Sequence, residues 1–254
     1  MKKQLGIWLA VSVLCAGCGQ PAVQSASPTP GSGEEYTCRL MDFYDYASPA
    51  PVSPTVDDAY FDGVLFAGDS RMGSLALYGT HPNAEIAYVT SLNLLLIDTM
   101  KADEREDGAT LMDILRSTQK PDIYLLFGIN EIRNANFNAF NEQYQMILTM
   151  LRENNPAVNI YILLAYHPDY ISNLPEPQLS EHLQMLNDGL RELARNNYVY
   201  YLDPDNGLDD ENGTIKDEYV ADGLHFNPDG AHAFEAYIAT HVVRKDKYVQ
   251  TVCE

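Results

Sequence analysis

Val64-Leu65-Phe66-Ala67-Gly68-Asp69-Ser70 is an unbroken apolar run that ends in a small residue, an acid and a hydroxyl. A strand buried on both faces reads this way, as continuous hydrophobic sequence rather than alternation. The pattern returns in Ile123-Tyr124-Leu125-Leu126-Phe127, which runs into Gly128-Ile129-Asn130. Strands are expected at 63–67, 85–89, 122–127, 158–164 and 198–202. Helices are expected at roughly 71–78, 108–118, 136–154, 179–196 and 228–243. Within 136–154, Phe137, Phe140, Tyr144, Ile147, Leu148 and Leu151 fall at spacings of three and four, one face of a helix. Leu179, Leu183, Leu186, Leu190 and Leu193 repeat that spacing in the next helix. Strands alternating with helices predict an α/β domain with a five-stranded parallel sheet covered on both faces. Ligands of such sheets bind beyond the carboxyl ends of the strands, at a switch in strand order. Ser70 and Asn130 both stand at such ends.

The chain has 254 residues, enough for one sizeable domain with its own core. A net charge of -20 argues against nucleic acid as a partner, since a polyanion would be repelled. The first residues read as an address. Lys2-Lys3 is a short basic segment, and Leu5 to Leu14 is an apolar stretch of signal-peptide length, too short to span a bilayer. Leu14-Cys15-Ala16-Gly17-Cys18-Gly19 then resembles a bacterial lipobox, with Cys15 where Leu is preferred. The expectation is a signal peptide at 1–17, lipidation at Cys18 and an extracytoplasmic protein anchored to the bacterial cell membrane; a plain secretory signal is the other reading. Residues 19–34, rich in Ser, Pro, Gly and Ala, read as a flexible tether, followed to residue 56 by an extended arm that packs partly on the domain surface. The domain proper is expected over 57–247. Cys38 and Cys253 bracket it, and outside the cytoplasm two such thiols are expected to form a disulfide, with two unpaired thiols as the alternative. The Asp-, Asn- and Gly-rich stretch from Leu202 to Tyr219 reads as a loop with a turn at Asn212-Gly213.

Four residues supply chemistry. Ser70, between a strand and a helix, sits where backbone N–H groups favour developing negative charge. An N-cap serine is the common structural use of that position. Asn130 offers a side-chain amide to a carbonyl oxygen that becomes an anion, or else makes a turn. Asp222 and His225 are spaced so that both lie on one side of a turn, and the carboxylate can hold the imidazole in the tautomer that takes a proton from Ser70. His81, His182, His232 and His241 lack such a partner and read as surface or core residues. His167, just past the strand at 158–164, is a lesser candidate for the cleft. Arg71 and Arg133, beside the Ser and Asn motifs, read as solvated or salt-bridged surface residues rather than cleft-rim contacts.

Phe66-Ala67-Gly68-Asp69-Ser70, Gly128-Ile129-Asn130 and Asp222-Gly223-Leu224-His225-Phe226-Asn227-Pro228-Asp229-Gly230 together resemble the first, third and fifth sequence blocks of the GDSL/SGNH hydrolases, in the family's order over about 57–245. The resemblance implies a flavodoxin-like three-layer α/β/α sandwich. It implies Ser70 as nucleophile with its own N–H in the oxyanion hole, Asn130 as a further donor, His225 as base and Asp222 as its partner. It implies no metal and no organic cofactor. The chain departs from the family at two places. The loop that should carry the second block's glycine reads Val89-Thr90-Ser91-Leu92-Asn93, so Ser91 takes that place in the oxyanion hole, strained if the position needs positive φ. Glu131 stands where many members have Asp. The implied activity is a serine esterase acting on small acyl esters, acetyl foremost, on carbohydrates. The alternatives are an O-acyltransferase with a sugar hydroxyl as acceptor, or a non-catalytic surface binding protein on the same scaffold.

Overall fold

The computed structural model describes residues 37–253. The expected signal peptide, Cys18 and the whole tether at 19–34 lie outside the described residues. In chain order the elements are β1 (Cys38–Asp42), a one-turn helix α1 (Asp58–Phe61), β2 (Val64–Asp69), α2 (Ser70–Tyr78), β3 (Glu85–Val89), α3 (Leu111–Ser117), β4 (Asp122–Leu126), α4 (Asn138–Asn154), β5 (Asn159–Leu163), α5 (Gln178–Asn197), β6 (Tyr200–Leu202), the short α6 (Asp205–Leu208), α7 (Pro228–Ala239) and β7 (Val249–Cys253). Five strands form one parallel sheet in the order β3-β2-β4-β5-β6. From β2 the chain first goes outward to β3 and then crosses back to β4. The strand order therefore reverses at β2, and the crevice above it is the switch point of a flavodoxin-like sheet.

Strand parity separates two cores. Leu65, Ala67, Ile123, Leu125, Ile160 and Ile162 point to the face covered by α3, α4 and α5. Val64, Phe66, Tyr124, Leu126, Tyr161 and Leu163 point to the other, covered by α2 and α7. Every residue of β2 and β4 is buried, which is why both read as continuous apolar runs. Leu179, Leu183, Leu186, Leu190 and Leu193 of α5 are all buried as their spacing predicts. Each such leucine contributes roughly 1.5–3 kcal/mol of burial. The result is the expected three-layer α/β/α domain.

Two helix ends differ from the sequence reading, for local reasons. The helix expected over 108–118 starts later, because Thr110 caps it: its hydroxyl accepts from the Asp113 N–H while the Asp113 carboxylate accepts from the Thr110 N–H. The helix expected to reach 243 stops at Ala239, and the chain turns so that the Val243 N–H donates to the buried Tyr161 hydroxyl at 3.0 Å.

The chain flanking the sheet forms a second, small ladder. β1 and β7 pair antiparallel, with Cys38 opposite Cys253, and these two cysteines are joined by a disulfide. Residues 43–56 then run along the domain: Tyr44 is buried against Tyr200 and Tyr248, the Ala50 N–H donates to the Tyr201 carbonyl at 2.8 Å, and the Ser53 N–H donates to the Thr240 carbonyl at 2.7 Å. Asn212-Gly213 forms a turn in which Gly213 has φ 77° and Asp210 Oδ1 accepts from the Asn212 and Thr214 N–H groups.

Candidate active site

The parallel register brings three loops side by side. Asp69 lies opposite Val89 of β3, and Gly68 lies opposite Leu126 of β4. The chain leaving these strands therefore carries Ser70, Ser91 and Asn130 to one edge. Gly68 permits the approach: a Cβ there would stand 2.7 Å from the Leu126 carbonyl oxygen. Asp69 is the N-cap of α2 and Ser70 its first residue. The Ser70 N–H therefore belongs to the first turn, whose donors have no partner within the helix.

The Asp222–His225 turn, just before α7, meets this edge. Ser70 Oγ and His225 Nε2 are 2.8 Å apart, and His225 Nδ1 and Asp222 Oδ2 are 2.8 Å apart. Asp222 Oδ1 also accepts from the His225 N–H at 2.8 Å and the Leu224 N–H at 3.1 Å. Partial burial pushes the Asp222 carboxyl up, but these backbone bonds and the imidazole outweigh it and hold it below the usual carboxylate range. Gly223 adopts φ 82°, and its carbonyl accepts from the Asp169 N–H at 2.8 Å. The buried Tyr166 donates its hydroxyl to the Leu224 carbonyl at 2.5 Å. The turn is thus pinned to the loop after β5 at two points. The row remains open to solvent: the His225 side chain is 34% exposed.

Two features stand out at Asn130 and Ser91, beside Ser70. The Asn130 Nδ2 is buried and donates to nothing among the described residues. An unmade hydrogen bond of this kind costs about 1–3 kcal/mol and leaves a donor ready for an incoming acceptor. Ser91 adopts φ 55°, the left-handed region that the sequence reading associates with a glycine. For a serine that conformation costs on the order of 1–2 kcal/mol. Buried Leu92 and Leu94 on its downstream side, and the Thr90 N–H bonded to Asp103 Oδ2 at 2.7 Å on the other, hold the turn in place.

Arg71 is not the surface residue expected from the sequence. It is fully buried, as is Asp69, and its Nε and Nη2 donate to the two Asp69 oxygens at 2.9 and 2.8 Å. Helix side chains lean back toward the N-terminus. From the first turn of α2, that lean carries the guanidinium under the helix start. Burial alone would weaken its charge, but the Asp69 carboxylate overrides that and keeps it protonated. The guanidinium carbon lies 5.5 Å from the centre of the Tyr166 ring. Nothing in the sequence announces the pair, because residues two apart do not face each other on a regular helix. Tyr166 had one legible signal, its place just past β5 at the same edge as Asn130. Arg133 is at the surface and donates to the Ser172 carbonyl at 3.2 Å. His167 turns to Glu176 Oε1 and the Ser180 hydroxyl, each 3.0 Å from its Nε2, rather than to Ser70. His182 and His232 contact the carbonyls of Ile132 and Tyr78.

A Ser–His–Asp row at the carboxyl edge of a doubly wound sheet, beside an unengaged amide donor, is the arrangement of a hydrolase. The sequence matches the model of the GDSL-like lipase/acylhydrolase family over residues 99–233, more than half of the chain, and the protein belongs to that family. Asn130, Asp222 and His225 lie within the matched stretch; Ser70 and Ser91 precede it. No curated protein matches the sequence. Solved structures share the fold. A Streptococcus pneumonia protein provisionally named a platelet activating factor has 23% identity and TM-score 0.54, with 69% of this chain and 81% of that one covered. A GDSL-like lipase from Bacteroides thetaiotaomicron has 16% identity and TM-score 0.51, with 69% and 84% covered. A lipolytic protein assigned to the G-D-S-L family from Desulfitobacterium hafniense has 13% identity and TM-score 0.52, with 70% and 98% covered.

Proposed function

We propose that the protein is a serine esterase that removes small acyl groups, acetyl foremost, from carbohydrate hydroxyls outside the cytoplasm, where it is held by a lipid on Cys18. The observation that carries the catalytic part is the 2.8 Å contact between Ser70 Oγ and His225 Nε2, continued at 2.8 Å from Nδ1 to Asp222. Ser70 Oγ attacks the ester carbonyl while His225 Nε2 takes its proton. Asp222 receives the hydrogen bond of the Nδ1–H and stabilises the imidazolium. The carbonyl oxygen, now an anion, is met by the N–H groups of Ser70 and Ser91 and by Asn130 Nδ2. The tetrahedral adduct collapses as His225 returns the proton to the leaving alcohol, and water repeats the sequence on the acyl-enzyme. Such acid–base assistance is worth about 10²–10⁴ in rate.

Tyr170 supports a carbohydrate leaving group. It is 62% exposed, and its backbone lies against Gly223 in the Asp222–His225 turn. An exposed aromatic ring at the lip of a site suits the apolar face of a sugar. The Cys38–Cys253 disulfide supports an oxidising location.

The test is hydrolysis of p-nitrophenyl acetate and of acetylated glycans by the purified protein beside Ser70→Ala. Turnover that vanishes in the variant fits the proposal; equal background rates in both would sink it. Acetate transferred to an added sugar, in place of free acetate, would instead favour the acyltransferase. Radiolabelled palmitate incorporated into the chain and lost in Cys18→Ala would establish the anchor.

A further inference from the structure

Glu131 follows Asn130 directly, yet its carboxylate is aimed at the neighbouring loop. Oε1 accepts from the Leu94 N–H at 2.7 Å, across 37 residues of sequence. Leu94 opens a short 3-10 turn whose start is capped by Asn93, the Asn93 side chain accepting from the Leu95 N–H at 3.0 Å, and the Leu94 side chain is wholly buried. Upstream, the Leu92 N–H closes a turn on the Val89 carbonyl at 3.3 Å. The segment with Ser91 is therefore fixed at β3 on one side and at Glu131 on the other. Glu131 is itself held by its N–H, which donates to the Gly128 carbonyl at 3.2 Å in the turn that carries Asn130. One side chain thus bridges the two loops that bear Ser91 and Asn130. A left-handed serine persists only where its surroundings over-determine it, and this bridge is one of the restraints that do so.

We propose that Glu131 is a positioning residue: through the Leu94 N–H it sets the Ser91 loop against the Asn130 loop and so fixes the spacing of two oxyanion donors. The inference rests on the reading of Ser91 and Asn130 as those donors. It assigns a purpose to the one position in that motif where the chain carries Glu rather than Asp. The extra methylene gives the carboxylate the reach to the Leu94 amide.

The test compares the full chain with Glu131→Ala, Glu131→Asp and Glu131→Gln on an acetyl ester, together with hydrogen exchange at the Leu94 amide. Misplaced oxyanion donors weaken transition-state binding more than substrate binding. Glu131→Ala is expected to lower kcat about 10- to 100-fold, with KM within about twofold. Glu131→Gln, which retains an acceptor oxygen at the same reach, is expected to recover most of that loss, and Glu131→Asp, one methylene short, little of it. Leu94 exchange should accelerate about tenfold or more in the Ala and Asp variants and stay slow in Gln. If Ala does not fold, the Asp and Gln comparison carries the same contrast. Unchanged kcat in Ala or Asp, with Ser70→Ala inactive, overturns the positioning role and leaves the esterase reading intact. Absence of turnover in the unmodified chain overturns the esterase reading instead; unaltered Leu94 exchange in every variant would then overturn the bridge as well.

Discussion

Asp69 and Arg71 flank Ser70 in sequence and clasp each other beneath it, through two hydrogen bonds of 2.9 and 2.8 Å between wholly buried side chains. Ser70, the proposed nucleophile, therefore stands on a neutralised charge pair. Removing one partner strands the other charge in the interior, at a cost of about 3–5 kcal/mol. Arg71→Met is expected to lower the unfolding free energy by that amount, read as a lower urea midpoint at unchanged m-value. Arg71→Lys should recover only part of it, because an ammonium cannot satisfy both oxygens in the same plane. A midpoint equal to the unmodified protein for Arg71→Met would show the pair to be energetically idle.

Asn130 Nδ2 gives up no bond in the free protein, so its loss should be felt in the transition state alone. Asn130→Ala is expected to lower kcat by about 10²–10³ with little change in KM. Steady-state kinetics on an acetyl ester check the split. A rise in KM at constant kcat would move Asn130 to substrate binding.

Ser91 pays for its φ of 55° in stability. Ser91→Gly relieves the conformational strain but loosens the unfolded chain, two effects of about 1 kcal/mol each and of opposite sign. Its melting temperature should match or slightly exceed the original, with activity retained. Ser91→Pro, locked near φ -65° and lacking the N–H, should lose most activity. Calorimetry and esterase assays of the pair separate the conformational effect from the donor effect.

Burial raises the Glu131 carboxyl to about 7, with the nearby Asp69 charge adding to it and the Leu94 N–H and Arg71 opposing it. The unfolded chain ionises this group near 4.5. Its stabilising contribution is therefore full below 4.5 and is lost as pH rises to about 7. Relative to Glu131→Gln, which cannot ionise, the unmodified protein should lose stability across that window and stay level above it. Denaturant midpoints at several pH values measure the difference; parallel curves would contradict it.

The Cys38–Cys253 bond closes a loop with a sequence separation of 215. Replacing both cysteines with serine is expected to cost about 2–5 kcal/mol. The melting temperature should fall, and reductant should lower it in the unmodified protein but not in the variant. Esterase activity at 25 °C should survive, because the ladder lies apart from the Ser70 edge.

The inner sheet strands were legible because double burial writes itself as an unbroken apolar run, as in residues 64–67 and 123–126, whereas the edge strand β3 is only partly buried. β1 and β7 were not: their residues are largely exposed, and only the partner strand defines them. The Asp222–His225 pair was legible from its spacing, since a turn brings such neighbours together. At Ser91 the sequence shows only a serine where a glycine is expected; the positive φ itself is visible in the backbone alone. Arg71 was misread because a lone arginine beside a motif looks solvated until the burial of Asp69 is known. The Glu131 bridge to Leu94 joins two loops far apart in sequence, and no local pattern carries it.

The β1–β7 ladder also has a mechanical meaning. The stem formed by residues 38–42 and 249–253 roots where Tyr44 packs on Tyr200 and Tyr248, near the end of the sheet at which the strands begin. Ser70 lies at the end where they finish. With the chain anchored as proposed, a pull on the N-terminal segment reaches Cys38 and passes covalently to Cys253. The load is shared by β1 and β7 before any hydrogen bond of the arm at 43–56 is strained. The disulfide-closed stem then takes up tension as one unit, on the side of the sheet away from Ser70.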